Sequence, residues 1–158
     1  MDADIEPRSG RERAVSIWHV AGIDLDALTA AGAASMPGHL GIEFVEAGDD
    51  WLKARMPVDR RTHQPYGRLH GGASVTLAET VASMAASLTV DPAQNAVVGM
   101  EINANHIRPV RDGFVHAVAR AEALGRTTQV WTIRITDEAD RLACLSRITM
   151  AVIPAPRA

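Results

Sequence analysis

The stretch His70-Gly71-Gly72-Ala73-Ser74-Val75-Thr76-Leu77-Ala78-Glu79-Thr80-Val81-Ala82-Ser83-Met84-Ala85-Ala86-Ser87-Leu88 decides how this chain is read. Two glycines run into a series of good helix formers, which predicts a loop that becomes a helix at about Gly72. The first amides of such a helix lack an intrahelical partner and point outward, where they and the helix dipole suit an oxyanion or a carbonyl oxygen. On a wheel of about 100° per residue, Leu77, Val81, Met84 and Leu88 form one apolar stripe. Glu79 falls on the opposite side, among Val75, Ala82, Ser83 and Ala86, and is the only charge from Ala73 to Leu88. The helix is therefore expected to be covered on both sides, by its own sheet and by something else. A lone carboxylate in such surroundings is costly to bury and needs a partner or a task.

Outward from this helix, the 158 residues read as one domain, and 47% apolar composition is enough for a real core. No apolar run is long enough to span a bilayer. The acidic start Met1-Asp2-Ala3-Asp4-Ile5-Glu6-Pro7 lacks the apolar segment of a signal peptide, so a cytoplasmic location without a membrane partner is expected. A formal charge of −3 leaves no basic footprint for nucleic acid. Cys144 is the only cysteine, which excludes an internal disulfide, and its apolar strand-like surroundings place it in the core. The six histidines, His19, His39, His63, His70, His106 and His116, show no zinc-like spacing, so no metal ligand is assigned. A Gly-X-Ser-X-Gly elbow is also missing.

Residues 1–14 lack periodicity and read as a disordered or loosely packed tail, followed by a single domain over 15–154 and a short tail at 155–158. Asp24 followed by Leu25, Leu28 and Ala31 predicts a short helix ending at Gly32 or before Met36-Pro37. Strands are predicted over 40–45 and 51–56, joined by a turn-rich loop, with a polar loop over 58–67 leading into the long helix. Asp91-Pro92 ends that helix, and strands follow at about 97–107, 114–124, 127–135 and 142–152. The connections at Arg111-Asp112-Gly113, Gly125-Arg126 and Asp137-Glu138-Ala139-Asp140 are short and suit hairpins. One long helix with about six mostly antiparallel strands is α+β.

The segment His63-Gln64-Pro65-Tyr66-Gly67-Arg68-Leu69-His70-Gly71-Gly72, then Leu77-Ala78-Glu79, resembles the signature of the hotdog-fold acyl-CoA thioesterases. The branch is that of phenylacetate degradation and the Arthrobacter-type 4-hydroxybenzoyl-CoA enzymes. The likeness continues through Val98-Gly99-Met100-Glu101-Ile102-Asn103-Ala104-Asn105-His106 and Gln129-Val130-Trp131, covering most of 18–152. It implies a sheet curled around the long helix and hydrolysis of acyl-CoA thioesters carrying aromatic or medium-chain acyl groups. It further implies no cofactor beyond the coenzyme A of the substrate, clefts at a homodimer interface, and a homotetramer built as a dimer of dimers.

Eight positions along a helix span about 12 Å, too far for the Gly71 N–H and the Glu79 carboxylate of one chain to meet at one carbonyl carbon. If both act, they come from different chains. Gly71 would polarise the thioester carbonyl, while Glu79 would either attack it or deprotonate a water. Gln64 would hold the water or the leaving product, and Ser83, one turn after Glu79, would orient either. By resemblance, His70 supports the carbonyl pocket. The resemblance also implies that His106, Arg108, Arg126 and Thr127 line a groove for the nucleotide and phosphates, and Tyr66 and Met84 are candidate neighbours of the acyl group. Each residue also has a plainer role: tight-turn glycines, a loop histidine and glutamine, a serine bonded back to its own helix, solvated strand-end arginines. Two other functions stay open at this point, a non-catalytic acyl-CoA-binding hotdog protein and a hotdog dehydratase or hydratase.

Overall fold

The computed structural model describes residues 16–156; the expected tail over 1–14 lies outside them. A six-stranded sheet has the order β1 (Glu43–Ala47), β2 (Trp51–Pro57), β6 (Phe114–Leu124), β7 (Thr128–Asp137), β8 (Leu142–Pro154) and β5 (Asn95–His106). All adjacent strands are antiparallel. The long helix α3 (Gly71–Leu88) lies across one face, and a ribbon of two-residue strands, β3 (His63–Gln64) and β4 (Arg68–Leu69), stands at its entrance. The short helices α1 (Leu25–Ala31) and α2 (Met36–Leu40) precede the sheet.

Period-two patterning holds these layers together. Alternate residues of β2, β6 and β7 point inward, among them Leu52, Met56, Val115, Trp131, Ile133 and Ile135, all at 0% exposure. They meet Leu77, Ala78, Val81, Ala82 and Ala85 of α3, equally closed to solvent. Small residues at Ala54, Ala117 and Ala119 let helix and sheet approach closely. Cys144 is buried in this core, as its setting in the sequence indicates.

Three expectations are corrected. Leu40 ends α2 instead of starting a strand, because Pro37 fits the first turn of a helix and Gly41 closes it in the left-handed conformation, φ 71°. Ala82 and Ala86 belong to the core, not to the side of Glu79; the open side carries Thr76, Glu79, Thr80, Ser83 and Ser87 and is mainly polar. Most consequentially, Arg111-Asp112-Gly113 does not close a hairpin: β5 pairs with β8 at the far edge, while β6 pairs with β2 and β7. The chain must cross the end of the sheet between β5 and β6. On the way Ile107 and Arg108 both donate to the Ala143 carbonyl, at 2.8 and 3.1 Å, and Val110 accepts from Leu69 N–H at 2.8 Å.

The β7–β8 turn does form, organised by Asp137. Its carboxylate accepts from the amides of Ala139 and Arg141, both at 3.0 Å, and from Arg141 Nε at 2.8 Å. The Arg141 guanidinium, helped by these amides, holds the Asp137 carboxyl below its ordinary pKa against the opposing effect of burial. A depressed carboxylate contributes stability that is fully present above the unfolded-state pKa of about 3.9 and fades as pH falls through the lower folded-state value. Asp137→Asn is therefore expected to melt below the parent at neutral pH, with the gap narrowing in acid below about pH 4; melting curves from pH 2 to 7 check this.

Candidate active site at the start of the long helix

The first turn of α3 leaves one amide unused. His70 is the N-cap, with extended backbone at φ −72° and ψ 135°. Its Nδ1 accepts from Gly72 N–H at 2.8 Å, and its carbonyl accepts from Ala73 and Ser74 at 3.0 and 3.2 Å. That satisfies three donors and leaves the Gly71 N–H without a partner among the described residues. It sits at the positive end of an 18-residue helix dipole.

A cleft of about 310 Å³ opens in front of it, lined by Gln64, Arg68, Leu69, Gly71, Ser74, His106, Ile107, Arg108, Pro109 and Ala143. The β3–β4 ribbon supplies one wall and the crossing from β5 to β6 the other. Gln64 is folded back so that its side-chain oxygen accepts from Tyr66 N–H across the turn that Gly67 closes at φ 69°. His106 lies directly over the helix start: a Cβ on Gly71 would come within 2.8 Å of its Nε2. Arg68 and Arg108 both face the cleft and form no ion pair among the described residues.

The cleft thus brings together Gln64, Gly71, His106 and Arg108, with His70 beside them as the cap. The other candidates lie elsewhere on the chain. Glu79 is exposed, with neither ion pair nor hydrogen bond among the described residues, and its carboxylate rests over Gly99 of β5, where a Cβ would stand 3.2 Å from Oε1. Ser83 follows it one turn later, half-buried. Met84 packs against the core, and its carbonyl accepts from Ser87. Tyr66 projects from the ribbon, 83% exposed. Arg126 lines a separate hollow with Thr89, Asp91 and Gln129 near the end of α3, and Thr127 follows it, its carbonyl accepting from Val152 N–H at 3.0 Å. The register sets that turn apart from His106: Thr128 pairs with Ala151 and Ile135 with Cys144, about 23 Å along β7.

Reading the sequence missed Arg68 and Ser74. Arg68 stands inside the quoted motif, and only the fold shows that it lines one cleft with Arg108. The strand β5 beside Glu79 is an edge, unpaired on its outer side, and carries Val98 and Met100 at 44% and 66% exposure. Such an apolar edge is a surface that proteins normally cover.

A family model for the thioesterase superfamily matches residues 66–144. The chain is 53% identical over 131 residues to the 1,4-dihydroxy-2-naphthoyl-CoA hydrolase of Escherichia coli, covering 83% of this chain and 96% of that protein. It is 52% identical over 129 residues to the proofreading thioesterase EntH of Cronobacter turicensis, covering 82% and 93%. Among solved structures, a mutant thioesterase from Pseudomonas aeruginosa matches with a TM-score of 0.86 at 52% identity, over 88% of this chain and 99% of that one.

The cap bond assigns His70 a role that stability measurements can isolate. His70→Ala is expected to lose about 1 kcal/mol, as for other side-chain caps, and His70→Asn to recover most of it by supplying a short acceptor. Urea denaturation of the three proteins checks this.

Proposed function

The chain belongs to the thioesterase superfamily and is a thioester hydrolase of the hotdog fold, and we propose that its substrates are acyl-CoA thioesters cleaved in a cleft shared by two chains. One observation carries the second half of this reading. The Gly71 amide and the Glu79 carboxylate, both without a partner among the described residues, lie on the same rigid helix about 12 Å apart, so if both act on one carbonyl carbon the acid comes from a second copy.

In the mechanism, the Gly71 N–H and the dipole of α3 hold the thioester oxygen and the negative charge that develops on it. The partner chain contributes the carboxylate corresponding to Glu79. As general base, this group takes a proton from water while the water oxygen bonds to the carbonyl carbon; the C–S bond then breaks, and coenzyme A leaves as thiolate and takes up a proton. As nucleophile, the same carboxylate bonds to the carbon first and expels the thiolate, and water then hydrolyses the mixed anhydride. Gln64 offers its free amide N–H to the attacking water or leaving group, and Ser83 orients the acid. No cofactor enters either route.

The two unpaired guanidiniums, Arg68 and Arg108, together with His106, suit the phosphates of coenzyme A at the cleft mouth. An antiparallel pairing of two β5 edges sets the His106 end of one strand beside the Asn95 end of the other. The Arg126–Thr127 turn of the partner then approaches the same groove, which accounts for a binding set split across 23 Å of one sheet. Tyr66 and Met84 remain candidates for the acyl wall, Met84 through the partner's helix. A relative named for a naphthoyl-CoA substrate favours an aromatic acyl group. The tetramer and the cytoplasmic location follow from the resemblance and from the sequence; among the described residues, no helix is long and apolar enough to cross a membrane.

Thiol release from benzoyl-, phenylacetyl- and medium-chain acyl-CoA tests the reaction, with Glu79→Gln expected to lose a factor of about 10² to 10⁴ in kcat. Mixing subunits tests the shared cleft. Gly71→Pro deletes the amide at a helix position that accepts proline, after a residue already extended, and the nearest atoms to its Cβ belong to the exposed His106 ring. Refolded together, Glu79→Gln and Gly71→Pro are expected to recover about one quarter of parental activity, since half the dimers then hold one intact cleft. Recovery of nothing above the single variants would sink the two-chain site.

A further inference from the structure

Ser74 lines the cleft, yet the mechanism above does not use it. It stands one turn after Gly71, is 3% exposed, and its hydroxyl has no hydrogen-bond partner among the described residues. Three other hydroxyls along and just past α3 are occupied by the helix itself: Thr76 donates to the Gly72 carbonyl at 2.9 Å, Ser87 to Met84 at 2.8 Å and Thr89 to Ala86 at 2.7 Å. Thr80 and Ser83 also have no hydrogen-bond partner among the described residues but lie on the open side of the helix, less buried than Ser74. Ser74 Oγ is not closed off as His116 Nδ1 is, so it opens onto the cleft and is free to bond to a group that enters there.

Helix geometry says where that hydroxyl acts. Every Cα–Cβ bond of a helix tilts toward the N-terminus, so the Ser74 side chain covers the turn that begins at Gly71. The cleft walls include apolar Leu69, Pro109 and Ala143 as well as Gln64 and His106, and none of these bonds to the Ser74 hydroxyl. Within one chain no carboxylate among the described residues lines the cleft and no hydrogen bond joins Ser74 to His106, and the acid of the second chain is already engaged with the water or the carbonyl carbon, so the hydroxyl is not assigned as a nucleophile. What remains is donation to an acceptor already fixed by the Gly71 amide. A carbonyl oxygen has two lone pairs and gains charge as the thioester reacts, so two donors one turn apart suit it.

We propose that the Ser74 hydroxyl is a catalytic residue, the second hydrogen-bond donor to the thioester oxygen held by the Gly71 N–H. This rests on the reading that the thioester carbonyl enters this cleft. The role makes no covalent bond and moves no proton.

Two measurements test it. In steady-state hydrolysis of benzoyl-CoA, Ser74→Ala is expected to lower kcat by about 100-fold, as for loss of one oxyanion donor, with KM little changed. Isotope-edited infrared spectra of benzoyl-CoA carrying a ¹³C carbonyl, bound to Glu79→Gln, are expected to show the carbonyl band below its free position. Adding Ser74→Ala or Ser74→Cys, the latter of similar size but a poor donor, is expected to move it back toward the free value; either variant, once shown folded by circular dichroism, suffices. A lowered band that ignores both Ser74 substitutions, or an unchanged kcat, overturns the role of Ser74 alone. A band at the free position in Glu79→Gln itself, or no bound band, overturns the placement of the carbonyl and with it both readings.

Discussion

The rise of 1.5 Å per residue along α3 keeps the Gly71 amide and the Glu79 carboxylate about 12 Å apart, and nothing within one chain can shorten that distance. Leu77, Ala78 and Val81, all at 0% exposure, lock the intervening turns into the core, so bending or unwinding the helix would open the packing that holds the fold together. A donor and an acid that serve one carbonyl carbon must both come within hydrogen-bond or bonding reach of it. In the proposed mechanism, the core that stabilises the subunit therefore keeps a lone subunit from completing the chemistry. The edge of β5, unpaired among the described residues and with exposed Val98 and Met100 next to the resting place of Glu79, is the surface on which the proposed second copy would sit.

The path of the chain serves the same end. Had β5 turned directly into β6, residues 107–113 would have formed a tight hairpin. Because β5 sits at the far edge, those residues instead cross the end of the sheet, tied to Ala143 and Leu69, and become a wall of the cleft. The opposite wall is the short β3–β4 ribbon, pinned through the bond from His70 N–H to the Thr62 carbonyl at 2.8 Å. Thr62 itself is 1% exposed and donates to the Pro57 carbonyl, so the approach to the helix is anchored in the core at the end of β2.

Where the local pattern agreed with the packing, the sequence was legible. The glycine-to-helix transition at 70–72, α1 with its Asp24 cap, and the bodies of β2, β6, β7 and β8 all follow from capping chemistry and period-two alternation. What failed depended on contacts distant along the chain. A short connection was read as a hairpin, yet pairing order is a global property that Arg111-Asp112-Gly113 does not encode. Alanine is weakly hydrophobic, so Ala82 and Ala86 gave the wheel little to separate core from open face. Arg68 and Ser74 escaped notice because a ribbon two residues long and a single buried hydroxyl leave no periodic trace.

The glycines of the site show how a correct residue can carry a different reason. In the sequence, Gly71 and Gly72 suggest a tight turn, and Gly99 has no evident purpose inside a strand. None of the three has the positive φ that demands glycine; the glycines that do are Gly22, Gly41, Gly67 and Gly113. Each instead stands where a Cβ would press on a side chain of the candidate site: Gly71 on His106 at 2.8 Å, Gly72 on His70 at 3.0 Å and Gly99 on Glu79 at 3.2 Å. Glycine inside a helix or strand costs about 0.5 to 1 kcal/mol relative to alanine, so stability alone would have replaced all three. Their common effect is room: the two imidazoles can lie against the helix start, and the carboxylate can lie flat on the edge strand. The exposed apolar edge, the free amide and these three gaps all set local stability against access, and all lie around the start of α3 or along β5 beside it.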